Sequence, residues 1–292
     1  MIMENKIRFT KMHGAGNDYV YIDCTNGILP ENIGKLTVKI SDRHFGVGSD
    51  GLVLICKSDV ADFKMRMFNA DGSEAQMCGN ASRCIGKFVY DKGLTDKTEL
   101  ALETLAGIKY LKVFVKNGIV ESVCVDMGEP ILEAKKIPAH LSNIPEWEYN
   151  AQIINELHNF DGHEFHITAV SMGNPHCVIF VDDIENFDVH GIGKIIENSR
   201  DVFPERSNVE FVEVVDKQKL KMRVWERGAG ETWACGTGAS AVLVASVLNN
   251  KSDRKATIQL LGGDLEIEWT DNNHVLMTGE ATTVFEGEYF LN

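Results

Sequence analysis

Two stretches of this chain superimpose without a gap. Residues 64–80, KMRMFNADGSEAQMCGN, lie over residues 221–237, KMRVWERGAGETWACGT, at a constant offset of 157 residues. Lys64, Met65, Arg66, Glu74, Cys78 and Gly79 meet identical residues in Lys221, Met222, Arg223, Glu231, Cys235 and Gly236. The same offset carries Gly16-Asn17 onto Gly173-Asn174, and Asp42-Arg43 onto Ser199-Arg200. A few chance identities are easy to find, but one offset serving three separated windows is not. The chain therefore reads as two halves of like architecture. Each has an early Gly-Asn turn, a strand, a polar loop, and then a cysteine-glycine pair opening a helix.

The local patterns agree. KMRMF alternates as a strand does, and NADGSE is turn chemistry. After Cys78, residues Ala81, Cys84, Ile85, Phe88 and Val89 recur at helical spacing until Asp91-Lys92-Gly93 supplies a stop. After Cys235, GTGASAVLVASVL is apolar nearly all round, which predicts a helix enclosed on every side. Strand patterns dominate elsewhere: YVYID, LVLIC, KYLKVFVKNGIVESVCVDM, CVIFV, VEFVEVV, TIQLL, DLEIEW and HVLMT. The expected class is α/β, with two pseudo-symmetric halves, each a mixed sheet curled around one central buried helix. The boundary falls near Gly128-Glu129-Pro130. Residues 1–128, joined by a C-terminal strand over 280–292, form one half, and residues 129–279 form the other. The less repetitive stretch from Leu132 to Phe160 reads as a surface excursion.

Composition excludes several classes of function. At 292 residues and 44% hydrophobic content the chain can bury a sizeable core. A net charge of -14 argues against nucleic acid or an anionic membrane as partner, since both attract basic patches. No run approaches the ~18 consecutive apolar residues of a membrane span, and the first residues lack a secretory apolar core, so a cytoplasmic location is expected. Seven cysteines without paired CxxC spacing suit neither a disulfide framework nor a zinc site. Cys56 and Cys124, in strand-like runs, read as small core residues. FGVGSDG (45–51) contains a G-x-G-x-x-G match, but SDRH rather than a strand precedes it and the strand-like LVLIC rather than a helix follows. That is the reverse of a dinucleotide-binding turn.

A cysteine in the first turn of a helix sits near the positive end of the macrodipole, which favours its thiolate. Gly79 and Gly236 let the following N–H groups approach an anion closely. Two such sites on one substrate would bind a carboxylate and flank the carbon beside it. A base on one face would remove the proton, an acid on the other would return one, and the configuration would invert. The N–H groups would stabilise the charge that develops meanwhile. Thiols suit both roles because they titrate near neutrality. The residues alone thus indicate a cofactor-free amino-acid racemase or epimerase.

HGAGNDYV (13–20), FNADGSEAQMCGN (68–80), Arg83-Cys84, MGNPHCV (172–178), Ser207-Asn208-Val209 and ERGAGETWACGTGA (226–239) together closely resemble the diaminopimelate epimerase family. The resemblance runs from Phe9 to about Ala241. It implies interconversion of LL- and meso-diaminopimelate without cofactor, metal or pyridoxal phosphate, on the route to lysine and peptidoglycan, by an enzyme that is habitually a homodimer. It makes Cys78 the proton donor and Cys235 the acceptor in the LL-to-meso direction, with the roles exchanged in reverse. Gly79-Asn80 and Gly236-Thr237 would bind the reacting carboxylate. Asn17, Asn69, Asn174, Asn208, Glu226 and Arg227 match substrate-binding positions, with Arg227 the clamp for the distal carboxylate. His176 and Glu226 match positions that tune the thiols. Gly51 stands where many members carry Gln, so any substrate contact there comes from backbone. The nearest alternative is a relative using the same fold to racemise histidine or proline. A thiol-redox protein and a non-catalytic binding module leave the twinned cysteines unexplained.

Overall fold

The computed structural model describes residues 2–3, 6–141 and 151–291. The chain divides into two compact units, Met1–Asp126 with Thr278–Asn292, and Met127–Met277. Turn chemistry starts both. Ala15 and Gly16 adopt positive φ angles of 52° and 81°, the pair of conformations a two-residue hairpin turn requires. They fold strand Lys6–Gly14 back on strand Asn17–Cys24, with Gly14 opposite Asn17. In the second unit Gly173, at φ 98°, sits in the turn between strands His163–Ser171 and Pro175–Phe180.

From there the two units follow one plan. Strand Asn17–Cys24 pairs in parallel with strand Gly51–Cys56, and Pro175–Phe180 with Asn208–Asp216. Parallel neighbours need a crossover, supplied by helix α1 (Ile33–Ser41) in the first unit and α3 (Val189–Glu197) in the second. The registers agree at the same offset: Tyr19 lies opposite Gly51, and His176 opposite Asn208. Strands Phe63–Asn69 and Lys219–Glu226 then add antiparallel. Helix α2 (Gly79–Asp91) and helix α4 (Gly236–Leu248) follow, with Cys78 and Cys235 as their N-caps. Beyond these helices the repeat slips by one residue. Lys64 faces Glu103, whereas Lys221 faces Gln259, so the second copy is one residue shorter there.

Burial explains the plan. Every residue of strand Gly51–Cys56 is buried, as expected for a strand covered on both faces. Leu52, Leu54 and Cys56 pack with Leu36 and Ile40 of α1, and Val53 and Ile55 point the other way. Helix α2 packs on strands Lys6–Gly14 and Gly107–Lys116; α4 packs on His163–Ser171 and Gly263–Trp269. Val242, Leu243 and Val244 are each 0% exposed, so every face of α4 is enclosed, and each such side chain contributes about 1.5–3 kcal/mol by leaving water. No helix among the described residues is long and apolar enough to cross a membrane.

The expected α/β architecture of two mixed-sheet halves around buried helices is what the structure has. Three details correct the sequence reading. Each unit has a second helix, α1 or α3, where one was expected. The excursion expected over Leu132–Phe160 contributes six buried residues to the core, although Lys135, Lys136, His140 and Leu157 among others are exposed. Ala134, Ile137, Ala139, Leu141, Ile153 and Phe160 join the cluster around Phe203 and Phe211, and Glu156–Phe160 is a strand paired with His163–Ser171. Residues 142–150 of that stretch lie outside the described residues. Cys56 is buried as expected, but Cys124 is only half-buried.

Candidate active site

Helix geometry places Cys78 at the N-cap of α2 in an extended conformation, φ -141° and ψ 122°. Its half-buried thiol lies 3.5 Å from Asn17 Oδ1, which also accepts from Asn80 Nδ2 at 3.2 Å. Asn17 does not rotate freely: its Nδ2 donates to Asp50 Oδ2 at 2.8 Å, and the Asp18 N–H donates to the same oxygen at 3.1 Å. Arg43 bridges Asp18 and Asp50 from outside. Beneath Asn80 lies Arg83, 0% exposed, whose Nη2 donates to Asn80 Oδ1 at 2.9 Å. Burial pushes the pKa of this guanidinium down, while the nearby Cys84 and Cys78 act to raise it. A Cβ on Gly14 would come within 2.9 Å of Arg83 Nη2, so glycine there leaves the guanidinium its space.

The structure therefore gathers Asn17, Cys78, Gly79 and Asn80 into one half-site, and it adds Asp50 and Arg83 as supports. Asn69 and Gly51 sit opposite each other in their strand pair. Asn69 is exposed, and its Nδ2 donates to Ser73 Oγ at 3.1 Å. Gly51 is buried, and a Cβ there would approach Phe68 O to 2.0 Å and Tyr19 Cε1 to 2.9 Å. No larger residue fits this backbone.

In the second unit Cys235 caps α4 in the same extended conformation, φ -123° and ψ 108°. It accepts from the Gly238 N–H at 3.4 Å, and Thr237 Oγ1 lies at 3.4 Å. The sequence led us to expect a depressed thiol pKa. The structure corrects this for Cys235. Burial pushes its pKa well above the ordinary value, the Glu226 and Glu210 carboxylates add to the rise, and the Thr237 and Gly238 hydrogen bonds offset only part of it. The helix-end field is outweighed because a thiol only 6% exposed loses its hydration. Glu226 is raised too, by burial first, against an opposing hydrogen bond from Thr232.

His176 is 0% exposed; its Nδ1 lies 2.6 Å from Glu210 Oε1, and its Nε2 3.1 Å from Asn174 Oδ1. Asn208 is held by backbone at both ends. Its Nδ2 donates to Pro175 O at 2.9 Å, and its Oδ1 accepts from the Arg227 N–H at 3.0 Å. Arg227 is exposed, with Nη1 donating to Glu205 O at 3.0 Å. The second half-site thus collects Asn174, His176, Glu226, Cys235, Gly236 and Thr237 around Glu210, which sequence reasoning missed. The offset held the clue: it pairs Glu210 with Val53 inside the apolar LVLIC, so this carboxylate occupies a core position. Among the described residues, no group of three or more His, Cys, Asp or Glu is arranged to hold a metal ion.

Comparison with known proteins agrees with these half-sites. The family model described as diaminopimelate epimerase matches residues 9–133 and 168–284. A diaminopimelate epimerase of Acetivibrio thermocellus is 58% identical over 98% of this chain and 99% of its own length. One from Methanococcus maripaludis strain C5 is 57% identical over 97% of this chain and 99% of its own. Among solved structures, the fold is similar to a hydroxyproline epimerase from Agrobacterium vitis with bound trans-4-OH-L-proline. That likeness has a TM-score of 0.68 at 13% identity and covers 100% of this chain and 94% of that one. A phenazine biosynthesis protein of the PhzF family from Bacillus anthracis gives a TM-score of 0.66 at 18% identity, over 98% and 99% of the two chains. With two cysteine-capped helices in a duplicated fold, and a match over most of its length, this chain belongs to the diaminopimelate epimerase family.

Proposed function

We propose that this chain interconverts LL- and meso-diaminopimelate, an isomerisation on the way to lysine and peptidoglycan, with Cys78 and Cys235 as its two proton-transfer groups. The observation that carries this reading is the paired occurrence of a cysteine at a helix N-cap, followed by glycine. N–H groups at the start of α2 and α4 bind the carboxylate beside the reacting carbon and take up the charge that develops on it. One sulfur removes the α-proton; the other delivers a proton to the opposite face. In the LL-to-meso direction Cys235 accepts and Cys78 donates, and the reverse direction exchanges them. Asn17 and Asn174 orient the reacting end. Asn69, Asn208, Glu226 and Arg227 serve the distal amino and carboxylate groups; the exposed Arg227 guanidinium, one nitrogen of which donates to Glu205 O, offers its remaining N–H groups to that carboxylate. Gly51 contributes shape rather than a side chain. His176 and Glu226 tune the Cys235 thiol. A cytoplasmic location and a homodimer complete the reading.

The test is deuterium uptake at the α-carbon in heavy water, with diaminopimelate, histidine and proline supplied separately. Exchange and inversion of diaminopimelate alone are expected. Exchange with proline or histidine but not diaminopimelate would overturn the substrate assignment in favour of a racemase of one of those amino acids.

A further inference from the structure

The mechanism above leaves one buried charge unused. Glu210 is 0% exposed, in the middle of strand Asn208–Asp216. One carboxylate oxygen, Oε1, meets His176 Nδ1 at 2.6 Å; the other, Oε2, has no hydrogen-bond partner among the described residues. Enclosing a carboxylate with an unpaired oxygen is costly, and the fold does not require it. The matched position in the first unit is Val53, equally buried and apolar. A residue that costs stability, at a position its own repeat fills with valine, points to a task in this half-site.

The geometry shows which task. A carboxylate only accepts, so Nδ1 of His176 donates to Glu210, and Nε2 stands 3.1 Å from the Asn174 side-chain amide. Glu210 thereby fixes the ring against which Asn174 stands, whereas Asp50 holds the matched Asn17 by a direct hydrogen bond. Its Oε1 also lies against the first turn of α4, 2.8 Å from where a Cβ on Gly238 would stand. The Gly238 N–H is the one that donates to Cys235 Sγ. The titratable groups facing Glu210 are His176 on one neighbouring strand, Glu226 on another, and Cys235 at the head of α4; Cys177, beside His176, points to the opposite face.

We propose that Glu210 is a positioning residue for the Cys235 half-reaction: it fixes the His176 ring against the Asn174 side chain, and its negative charge beside the first turn of α4 keeps the Cys235 thiol protonated until substrate binds. This deepens the proposed function and rests on Cys235 being a reacting thiol. It also explains why a helix N-cap, which would otherwise favour thiolate, holds a thiol ready to donate in the meso-to-LL direction.

The test is iodoacetamide alkylation of the full chain across a pH series, with the Cys235 peptide followed by mass spectrometry. In the wild type the midpoint for Cys235 lies above that of a free thiol. In Glu210→Gln, which keeps shape and acceptor but not charge, it falls by about one pH unit, or about tenfold faster labelling at a fixed pH below both midpoints. The pH profile of diaminopimelate exchange moves the same way. An unmoved midpoint in folded Glu210→Gln overturns the proposal. So does a wild-type midpoint at or below that of a free thiol, a measurement that needs no variant to fold. Failure of the underlying reading shows separately: Cys235→Ala would then exchange diaminopimelate normally, whatever the titrations report.

Discussion

The two cysteine-capped helices share a backbone but not an electrostatic setting. Behind the Cys78 half-site lies Arg83, a buried cation bound to Asn80. Around Cys235 lie the carboxylates of Glu210 and Glu226 and the His176 ring. At the common offset Arg83 corresponds to Ser240, Val53 to Glu210 and Tyr19 to His176. Duplication therefore fixed where each sulfur stands and where its helix N–H groups point. Substitutions at two of these matched core positions, Arg83 against Ser240 and Val53 against Glu210, then gave the two sites different buried charges. An enzyme that removes a proton with one sulfur and returns one with the other gains from that inequality, since two identical thiols would start in the same protonation state.

The largest expected effect comes from removing either sulfur. Cys78→Ala and Cys235→Ala should each lower inversion by about 10²–10⁴-fold, the usual contribution of a positioned acid or base. The surviving sulfur should still exchange the α-proton of one stereoisomer for deuterium with retention. NMR of the two isomers in heavy water checks this, and full inversion by either variant would break the division of labour. Next comes shape. Gly51→Ala sets a Cβ 2.0 Å from Phe68 O, and should cost about 3 kcal/mol in urea unfolding. At the matched position, Asn208→Ala leaves the Pro175 carbonyl and the Arg227 N–H without their partner, for about 2 kcal/mol. Arg83→Met should cost a similar ~2 kcal/mol by leaving Asn80 Oδ1 without its donor. It should also slow exchange at the face served by Cys78 more than at the other.

The smallest effect is in pH dependence, and its sign differs between the units. Burial would raise the Asp18 carboxyl, but hydrogen bonds and charge from Arg43 and Lys11 prevail and hold it below the ordinary 3.8. Its stabilisation is present above that value and is lost as pH falls through the lower folded one. Glu226 is raised above 4.5, by burial first. Its contribution is complete below 4.5 and is lost as pH rises through the folded value. Asp18→Asn should therefore weaken the protein at neutral pH and match the wild type in acid. Glu226→Gln should strengthen it at neutral pH, with the gap closing toward about pH 4. Urea midpoints from about pH 2 to about pH 8 decide both, and gaps of the same sign at neutral pH would refute the contrast.

Much of this was legible in the sequence. One offset located the repeat, the two cysteine helices and most strands, because turn residues and apolar alternation are local signals. Helices α1 and α3 were not. IGKLTVKIS carries a glycine and β-branched residues, and VHGIGKIIE two glycines, all poor helix formers. They are helical because Leu36 and Ile40, and Ile192 and Ile196, pack onto a sheet, a tertiary effect. The excursion misled for the same reason: its core residues are spaced without period. In the site, the Asn, Cys and Gly positions carry motifs of their own. Glu210 hides in VEFVEVV, where alternation suggests solvent, but helices α3 and α4 pack on the strand and leave its first half buried on both faces.

Strand Thr282–Phe290 lies antiparallel against Lys6–Gly14, so the first unit is closed by a strand made after the whole of the second. The second unit, Met127–Met277, is continuous. On a ribosome adding about 5–20 residues per second, that unit can complete its sheet while the edge of its sibling still waits for a partner. The Cys235 half-site is then built before the Cys78 half-site is sealed, and the open flank of Lys6–Gly14 is where a chaperone would be needed longest.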